Sequence, residues 1–295
     1  MAEVVELESS ILVVAPNIVI GDLPIVAATE CGFFRQVGLE VKIVKKDHAD
    51  NSQLEVLGRQ KERLFELGEA HVYNACQWGS VMRLNLSSRN CRIVTRRASM
   101  IHMGLAVSHS SHVEVPEDLA NEPVAVAERT GSHYLGYKML AGFMSLKQIE
   151  LRHIGHPPDR LCALMEGQVA GAMLMEPYLS LAEKKGARTI CEAKFFGTDI
   201  FADFVSDDTI RAFVAAVGKG AAAVNANKEY YAQRLIEMEG LEGQLAVSDI
   251  SLRRLRFSQP SFYSENDYSM AVQWMKEMNF VSEPLSYSSA VRRLA

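Results

Sequence analysis

The sequence predicts a two-lobed α/β protein in which parallel-rich sheets are flanked by helices, and three observations support this prediction. Strand-like segments of alternating polarity alternate with amphipathic helical segments along most of the 295 residues. Residues 110–200 contain a complete β-α-β-α-β set, whereas helices alone are predicted after it. The prediction is therefore one lobe made of residues 1–105 and 204–295, with residues 106–203 inserted as a second lobe through two hinge crossovers.

The first lobe is predicted from alternating strands and helices. Its most regular stretch is LPIVAATECGFFRQVGLEVKIV at 23–44, where a helix ends at Gly32 and an alternating strand follows almost at once. Glycine favours such a helix end because it adopts the left-handed conformation without steric cost. The remaining periodicities predict strands at 9–16, 70–75, 91–98 and 102–108 and a helix at 54–67.

The second lobe and the C-terminal part are predicted in the same way. A proline-started turn covers 115–120, and strands are predicted at 123–128, 149–154, 170–175 and 188–193, the last followed by a phenylalanine-rich loop. Helices are predicted at 131–143, 158–167, 176–186, 208–225, 228–240 and 267–278. Ligands of open α/β sheets bind outside the carboxyl ends of the strands, so we expect the site between the two lobes.

Composition excludes several classes of function. The formal net charge of −5 argues against a nucleic-acid partner, and the basic cluster Arg92, Arg96 and Arg97 is interpreted as the solvated end of a strand. No apolar run approaches the roughly 18 residues that span a bilayer, so membrane insertion is not expected. The eight histidines have no metal-ligand spacing, and we predict no metal and no cofactor.

The N-terminus and the cysteines predict a cytoplasmic location. MAEVVELESS has acidic but no basic residues, unlike a secretory signal, and five cysteines without a CxxC pair suit a reducing compartment. A periplasmic or lipid-anchored location is the alternative if a signal segment precedes this start. The oligomeric state is left open.

Four segments together resemble one family. They are PIVAATECGFFRQVGLEVKIV at 24–44, LFELGEAHVYNACQWG at 64–79, TGSHYLGYKML at 130–140, and the stretch from HIGHPPDR to LAEKKG at 153–186. In this order and spacing they are similar to the type II periplasmic-binding-protein fold, in its nitrate/sulfonate/taurine and thiamine-pyrimidine-precursor branch. The resemblance implies two lobes that close over one small ligand.

The same fold also carries cytoplasmic enzymes, so the resemblance leaves the activity open. They include thiamine-pyrimidine synthases, an aromatic desulfinase, chorismate-derived dehydratases and phthalate-type decarboxylases. The desulfinase has its catalytic cysteine in the loop after the first strand, near the position of Val19 here, but the loop NIVIGD contains none. The cysteine-rich run of the pyrimidine synthase is also absent.

The strongest anion-binding signal is the start of the predicted helix at 131–143. Thr130, Gly131, Ser132 and His133 lie where unpaired backbone amides and the helix dipole favour negative charge. Ser132 is the natural N-cap, so the alternative is that it caps the helix and contacts no ligand.

A second candidate group follows the strand at 70–75. Trp78 offers a flat face to an aromatic ligand, and Asn74 and Gln77 can bond its polar edge; the alternative is a tryptophan of the core. Cys76 is interpreted as an unreactive buried thiol, and the alternative is a nucleophile whose pKa is lowered by a neighbouring group.

Further ligand contacts are predicted at the helix start and along the cleft. They are Gly21, Asp22, Gly155, Glu176, Tyr178, Phe201 and Asp203. Arg160 is considered as an anion partner or as a solvated helix start.

Two functions follow from these residues. In the first, the chain binds a small organic anion or heteroaromatic acid, as the substrate-binding protein of an ABC-type transporter, with a permease as partner, or as a cytoplasmic relative. In the second, it is a cytoplasmic enzyme of lyase, decarboxylase, desulfinase or pyrimidine-synthase type, with His48 or His102 as the acid/base.

Overall fold

The computed structural model describes residues 11–47, 57 and 59–294, and within them the chain alternates strands and helices. The strands are β1 Leu12–Val14, β2 Val41–Ile43, β3 Val72–Cys76, β4 Cys91–Val107, β5 Pro123–Val126, β6 Glu150–His153, β7 Gly171–Leu174, β8 Arg188–Ala202 and β9 Ser261–Phe262. The α-helices are α1 Val19–Glu30, α2 Phe33–Gln36, α3 Gln60–Glu66, α4 Gln77–Leu86, α5 Gly131–Leu140, α6 Pro157–Met165, α7 Tyr178–Lys184, α8 Asp207–Ala226, α9 Lys228–Met238, α10 Glu265–Glu277 and α11 Tyr287–Ala290.

The strands form a mixed sheet in the order β2-β1-β3-β8-β4-β7-β5-β6, with β9 added to β4. Pairs are parallel among β1, β2 and β3 and among β5, β6 and β7, as expected for βαβ units. The long strands β4 and β8 run antiparallel to each other and lie between these two sets. We call the part around β1–β3 the β1 side and the part around β5–β7 the β5 side.

The two long strands correct the sequence prediction. The segments predicted as strands at 91–98 and 102–108 are one strand, β4, whose register against β8 shifts between Arg96 and Met100. The phenylalanine-rich segment predicted as a loop belongs to β8, which continues to Ala202. Gly197 and Asp199 are poor strand formers, but their backbones pair with β3, and tertiary pairing overrides that propensity.

The N-terminal unit has the predicted helix end and an additional short helix. Gly32 adopts a positive φ of 70°, as the left-handed end of a helix requires. Helix α1 begins at Val19, earlier than predicted, and α2 follows Gly32 before β2. Helix α4, which the sequence analysis did not predict, begins where the Cys76 Sγ accepts a hydrogen bond from the Gly79 amide at 3.2 Å.

The core is continuous through both sides of the sheet, with buried residues on β1, β3, β4, β5, β7 and β8. Helices α1 and α8 pack against each other on the β1 side, and α6 and α7 cover the β5 side. Within the described residues, no helix combines the length and the apolar composition needed to cross a membrane.

Candidate functional site

A cavity of about 160 Å³ lies where the carboxyl ends of strands from both sides of the sheet meet. Pro16 follows β1, Cys76 ends β3, Ala127 follows β5 and Gly155 follows β6, and all four line it. The first residues of α5 and α6 also line it, as do parts of β4 and β8. This is the position at which a ligand binds in α/β sheets.

The lining is strongly cationic. Among the described residues, one carboxylate, Glu62, lines the cavity, and the cationic side chains are Lys46, Arg59, Lys61, Arg83, Arg97 and Arg160. Clefts lined by one sign of charge concentrate ligands of the opposite sign. The cavity is therefore suited to an anion even though the whole chain is negatively charged.

Arg160 on α6 is a buried cation to which no other described residue supplies an ion-pair partner. Its side chain is 2% exposed, and within the described residues it forms no ion pair. Nη1 donates to the Gly155 carbonyl at 2.8 Å and to the Ser132 Oγ at 3.4 Å, while Nε has no hydrogen-bond partner in the described part of the chain. Burial lowers the pKa of Arg160 to about 9. A charge buried in this way is costly unless something pairs with it.

Two neutral donors accompany Arg160. The Nδ1 of His153 accepts a hydrogen bond from the Glu128 amide at 3.0 Å, so a neutral ring carries its proton on Nε2, which is buried and has no partner among the residues that the structure describes. Burial and the nearby Arg59 lower the pKa of His153, which favours the neutral ring. The Nδ2 of Asn74 is likewise buried without a partner. Three unsatisfied donors therefore belong to residues that line one cavity.

The cationic residues of the β1 side reach across the cavity. Arg59 Nη2 donates to the Glu128 carbonyl at 2.8 Å, and Arg83 Nη1 donates to the Arg129 carbonyl at 3.5 Å. Both acceptors follow β5, so these bonds join the two sides of the sheet beside the cavity. Nearby, Lys61 Nζ donates to the backbone carbonyl of Asn74 at 2.8 Å. Burial lowers the pKa of Lys61 to about 8.

Arg97 is part of a buried ion-pair triad in the cavity wall, which corrects its interpretation as a solvated strand end. Arg97 Nη2 lies 3.0 Å from the Asp22 Oδ1, and Nε lies 3.0 Å from the Asp199 Oδ1. Burial raises the pKa of both carboxyls against the opposing effect of Arg97. Asp22 also accepts from the Asn17 amide at 3.0 Å, so the triad holds the loop after β1 in place.

Comparison with known proteins identifies the fold. No protein-family model matches the sequence, and no curated protein matches it. The structure is similar to the periplasmic aliphatic sulphonate binding protein SsuA from Escherichia coli, with a TM-score of 0.74 and 15% identity over 95% of this chain and 96% of that chain. The chain has the periplasmic binding protein fold.

Two further structures show how widely this fold is used. The alkanesulfonate-binding protein SsuA from Xanthomonas axonopodis pv. citri, bound to MOPS, has a TM-score of 0.73 and 14% identity over 96% of this chain and 98% of that chain. The desulfurization enzyme DSZB has a TM-score of 0.61 and 12% identity over 95% of this chain and 96% of that chain. At these identities the periplasmic binding protein fold is established, as predicted, and the ligand is not.

Of the residues predicted from the sequence to contact a ligand, six are found in the cavity lining. They are Gly21, Asn74, Thr130, Gly131, Ser132 and Gly155. Ser132 is not the N-cap of α5, because Thr130 holds that position and the Ser132 Oγ accepts from the Ala127 amide at 2.9 Å. Gly131 leaves room for an aromatic ring, since a Cβ there would lie 2.4 Å from the Phe195 Cζ.

Three of the other predicted contacts, Trp78, His133 and Gln77, lie outside the cavity lining. Trp78 is 3% exposed and packs against Tyr134, Phe195 and Trp274, so it occupies the core position that was its alternative. His133 packs edge-on against Tyr134, Tyr137 and Phe280, and burial lowers its pKa to about 4. Gln77 does not line the cavity either.

The residues predicted at the cleft rim have other partners. Glu176 pairs with Arg254 at 3.0 Å, Tyr178 donates to Glu239 at 3.0 Å, and Asp203 pairs with Arg92 at 3.0 Å. Phe201 is in the core against Phe213.

The two histidines predicted as an acid or base have different outcomes. His102 lies on β4, pairs in register with Lys194 and does not line the cavity. His48 falls outside the described residues.

The cationic residues of the cavity were largely missed by sequence reasoning. Arg59, Lys61 and Arg83 lie in or near helices whose sequence does not show which face meets the cavity. Arg160 was considered from the sequence as an anion partner, whereas His153 was not predicted as a ligand contact. Gly155, which marks a turn after a strand, is the local signal that a strand-end site lies there.

Proposed function

We propose that this chain binds a small organic anion in the cavity between the two sides of its sheet. The observation that supports the proposal is the buried Arg160 guanidinium, which has no carboxylate partner among the described residues. A sulfonate or carboxylate at this position would pair with Arg160 and accept from His153 Nε2 and Asn74 Nδ2. The cavity volume of about 160 Å³ limits the ligand to a small molecule.

The proposal includes closure of two lobes around the ligand. Residues 106–203 would form the second lobe, and the crossovers in β4 and β8 would act as the hinge. The bonds from Arg59 to the Glu128 carbonyl and from Arg83 to the Arg129 carbonyl would form on closing. Similarity to a ligand-binding component of an ABC-type import system from Staphylococcus aureus supports a role as a substrate-binding protein, with a permease as its partner. The cytoplasmic location stays a prediction.

The enzyme alternative is supported by the similarity to the desulfurization enzyme DSZB. The cavity residues favour binding over catalysis, because burial raises the pKa of the Cys76 thiol and a thiol is a weak nucleophile. His102 does not line the cavity, so it is not placed to serve as an acid or base there.

The test is the substitution Arg160→Met, with Arg152→Met as the matched control on the exposed edge strand β6. Affinity is measured by titration calorimetry with sulfate, ethanesulfonate, benzoate and nicotinate. We expect an anion that binds the wild type to lose about tenfold to hundredfold in affinity on Arg160→Met, the value of a charge-assisted hydrogen bond, and to bind the control normally.

Two further readouts separate binding from a structural role and from turnover. Because no carboxylate of the described residues pairs with the buried Arg160, we expect unliganded Arg160→Met to keep the wild-type free energy of unfolding within about 1 kcal/mol. Mass spectrometry of the bound anion after incubation should recover it unchanged. Equal affinity of wild type and Arg160→Met would refute the proposal, and chemical conversion of the anion would favour the enzyme.

A further inference from the structure

Glu62 on α3 is a buried carboxylate. One of its oxygens accepts a hydrogen bond, and the other accepts none from the described residues. Its side chain is 1% exposed, and Oε1 accepts from the Arg83 Nε at 2.5 Å. Oε2 is buried and has no hydrogen-bond partner within the described residues. Glu62 also lines the anion-receptive cavity. A buried acceptor without a donor is unfavourable, so a ligand in the cavity would be favoured if it supplied one.

The cavity therefore combines donors with one unsatisfied acceptor. Arg160 Nε, His153 Nε2 and Asn74 Nδ2 are unsatisfied donors, and Glu62 Oε2 is the acceptor. An anion supplies acceptors only, so a simple carboxylate or sulfonate would satisfy the donors and leave Glu62 unpaired. A ligand complementary to all four groups carries a hydrogen-bond donor in addition to its anionic group.

The charges around Glu62 indicate that this donor is neutral. Arg83 already pairs with Glu62, and Arg59 and Lys61 are close enough for Glu62 to raise their pKa values against the effect of burial. Three cations therefore surround one carboxylate, and an added ammonium group would be repelled. A hydroxyl or a neutral N–H group can bond to Oε2 without that repulsion.

Resting on the proposed function, we propose that Glu62 selects small organic anions that carry a hydroxyl or neutral N–H group. Arg160 pairs with the anionic group, and Glu62 Oε2 accepts the hydrogen bond of the donor. Glu62 is in this sense a specificity-determining residue, and the substrate class is a hydroxylated or N–H-bearing organic acid.

The test compares probes that differ by the donor alone. Ethanesulfonate is paired with 2-hydroxyethanesulfonate, benzoate is paired with 4-hydroxybenzoate, and 2-aminoethanesulfonate supplies the ammonium case. Titration calorimetry on the wild type should show at least one hydroxylated probe binding about tenfold or more tighter than its partner, because loss of a hydrogen bond to a charged group costs about that factor. The ammonium probe should bind no better than ethanesulfonate.

Glu62→Gln tests the residue itself, and Glu66→Gln is the control one turn further along α3, outside the cavity lining. In Glu62→Gln the preference for the hydroxylated probe should fall to within about threefold, while Glu66→Gln keeps it. If Glu62→Gln does not fold, the comparison of hydroxylated and unhydroxylated probes on the wild type still tests the proposal.

The outcomes distinguish this inference from the proposed function. Probes that bind in an Arg160-dependent way without preference for the hydroxyl, or with preference for the ammonium, would overturn the role of Glu62 and leave the anion site intact. Retained preference in Glu62→Gln would also overturn it. If none of the probes binds, both proposals fail.

Discussion

Arg160 and Arg254 are both buried arginines, but their partners give them different roles. Arg254 is 3% exposed and lies within 3.0 Å of three carboxylates, those of Glu176, Glu183 and Glu192. Arg160 has hydrogen bonds to a carbonyl and a hydroxyl and no ion pair within the described residues. Removing a buried cation that is paired inside the chain leaves a buried carboxylate uncompensated, whereas a buried cation without an ion pair is available to a ligand.

The first prediction concerns Arg254→Met. This change leaves the buried Glu176 carboxylate without its cation, so we expect the free energy of unfolding at pH 7 to fall by about 3 kcal/mol. Urea denaturation followed by circular dichroism measures it. Arg253→Met is the control, because Arg253 is the neighbouring arginine and contacts Glu192 from an exposed position.

The difference between wild type and Arg254→Met should depend on pH. Burial alone would raise the pKa of Glu183 and Glu192, but hydrogen bonds and charge from Arg254 outweigh it and hold both pKa values below the usual 4.5. Stabilisation from a lowered pKa is present above the ordinary value and is lost as the pH falls through the folded-state value. The two unfolding curves should therefore approach each other below about pH 4.5, and a constant gap would contradict this assignment.

At the residue scale, the small residues of the cavity lining were more often among the predicted ligand contacts than its charged residues were. Gly131 and Gly155 mark turns at strand and helix ends, and such backbone requirements are local. The direction of a long side chain depends on which strand packs beside it. Arg97 became part of a buried triad only because β8 brings Asp199 next to β4, a contact of 102 residues' separation that no local pattern encodes.

At the scale of elements, helices α1 and α8 approach each other closely at Gly220. A Cβ at this position would lie 2.0 Å from the Pro24 carbonyl oxygen and 3.0 Å from the Ala28 nitrogen, both backbone atoms of α1. Backbone atoms cannot move aside as a side chain can, so the two helices would have to separate. Gly220 therefore sets the distance between α1 and α8.

The second prediction is that Gly220→Ala destabilises the protein by about 1–3 kcal/mol or more through overpacking. Gly218→Ala, two residues earlier on α8, is the matched control, because its Cβ would meet the end of the Gln259 side chain, which can rotate away. Thermal or urea unfolding of both variants measures the difference. Equal destabilisation by the two substitutions would show that backbone contact is not the cause.

The elements themselves were largely predictable, and the exceptions have a common cause. Helices α8, α9 and α10 were predicted within two residues at each end because their amphipathic periodicity is local. The length of β4 and β8 was underestimated, since their middle segments contain arginines, glycine and aspartate and are held extended by pairing with each other. Long-range pairing is not visible in a single periodic window.

At the scale of the whole molecule, an aromatic cluster joins helices from three parts of the chain. Trp78 on α4, Tyr134 on α5 and Trp274 on α10 have ring centroids within 6.2 Å of each other. Lys138 lies over the Trp274 ring at 4.7 Å. Because α4 belongs to the β1 side and α5 to the β5 side, any opening of the cavity would change these contacts.

The third prediction uses the fact that both tryptophans of the chain lie in this cluster. If the two sides close around an anion, we expect intrinsic tryptophan emission to change in intensity or wavelength with the same midpoint as calorimetric binding. Trp274→Phe should lose much of this signal while keeping affinity, since Trp274 does not line the cavity. Small-angle scattering that shows no compaction on binding would contradict the closure.

The continuous strands β4 and β8 limit how this architecture can be divided. β8 forms backbone hydrogen bonds with β3 through Gly197–Phe201, and β4 forms them with β7 through Gly104–Val107, while the two strands also pair with each other. The sheet on each side is therefore completed by one of the two long strands, and these two strands also pair with each other. Recombination that exchanged one side for that of a relative would have to preserve both strands, so neither side can be exchanged as an independent module although the cavity lies between them.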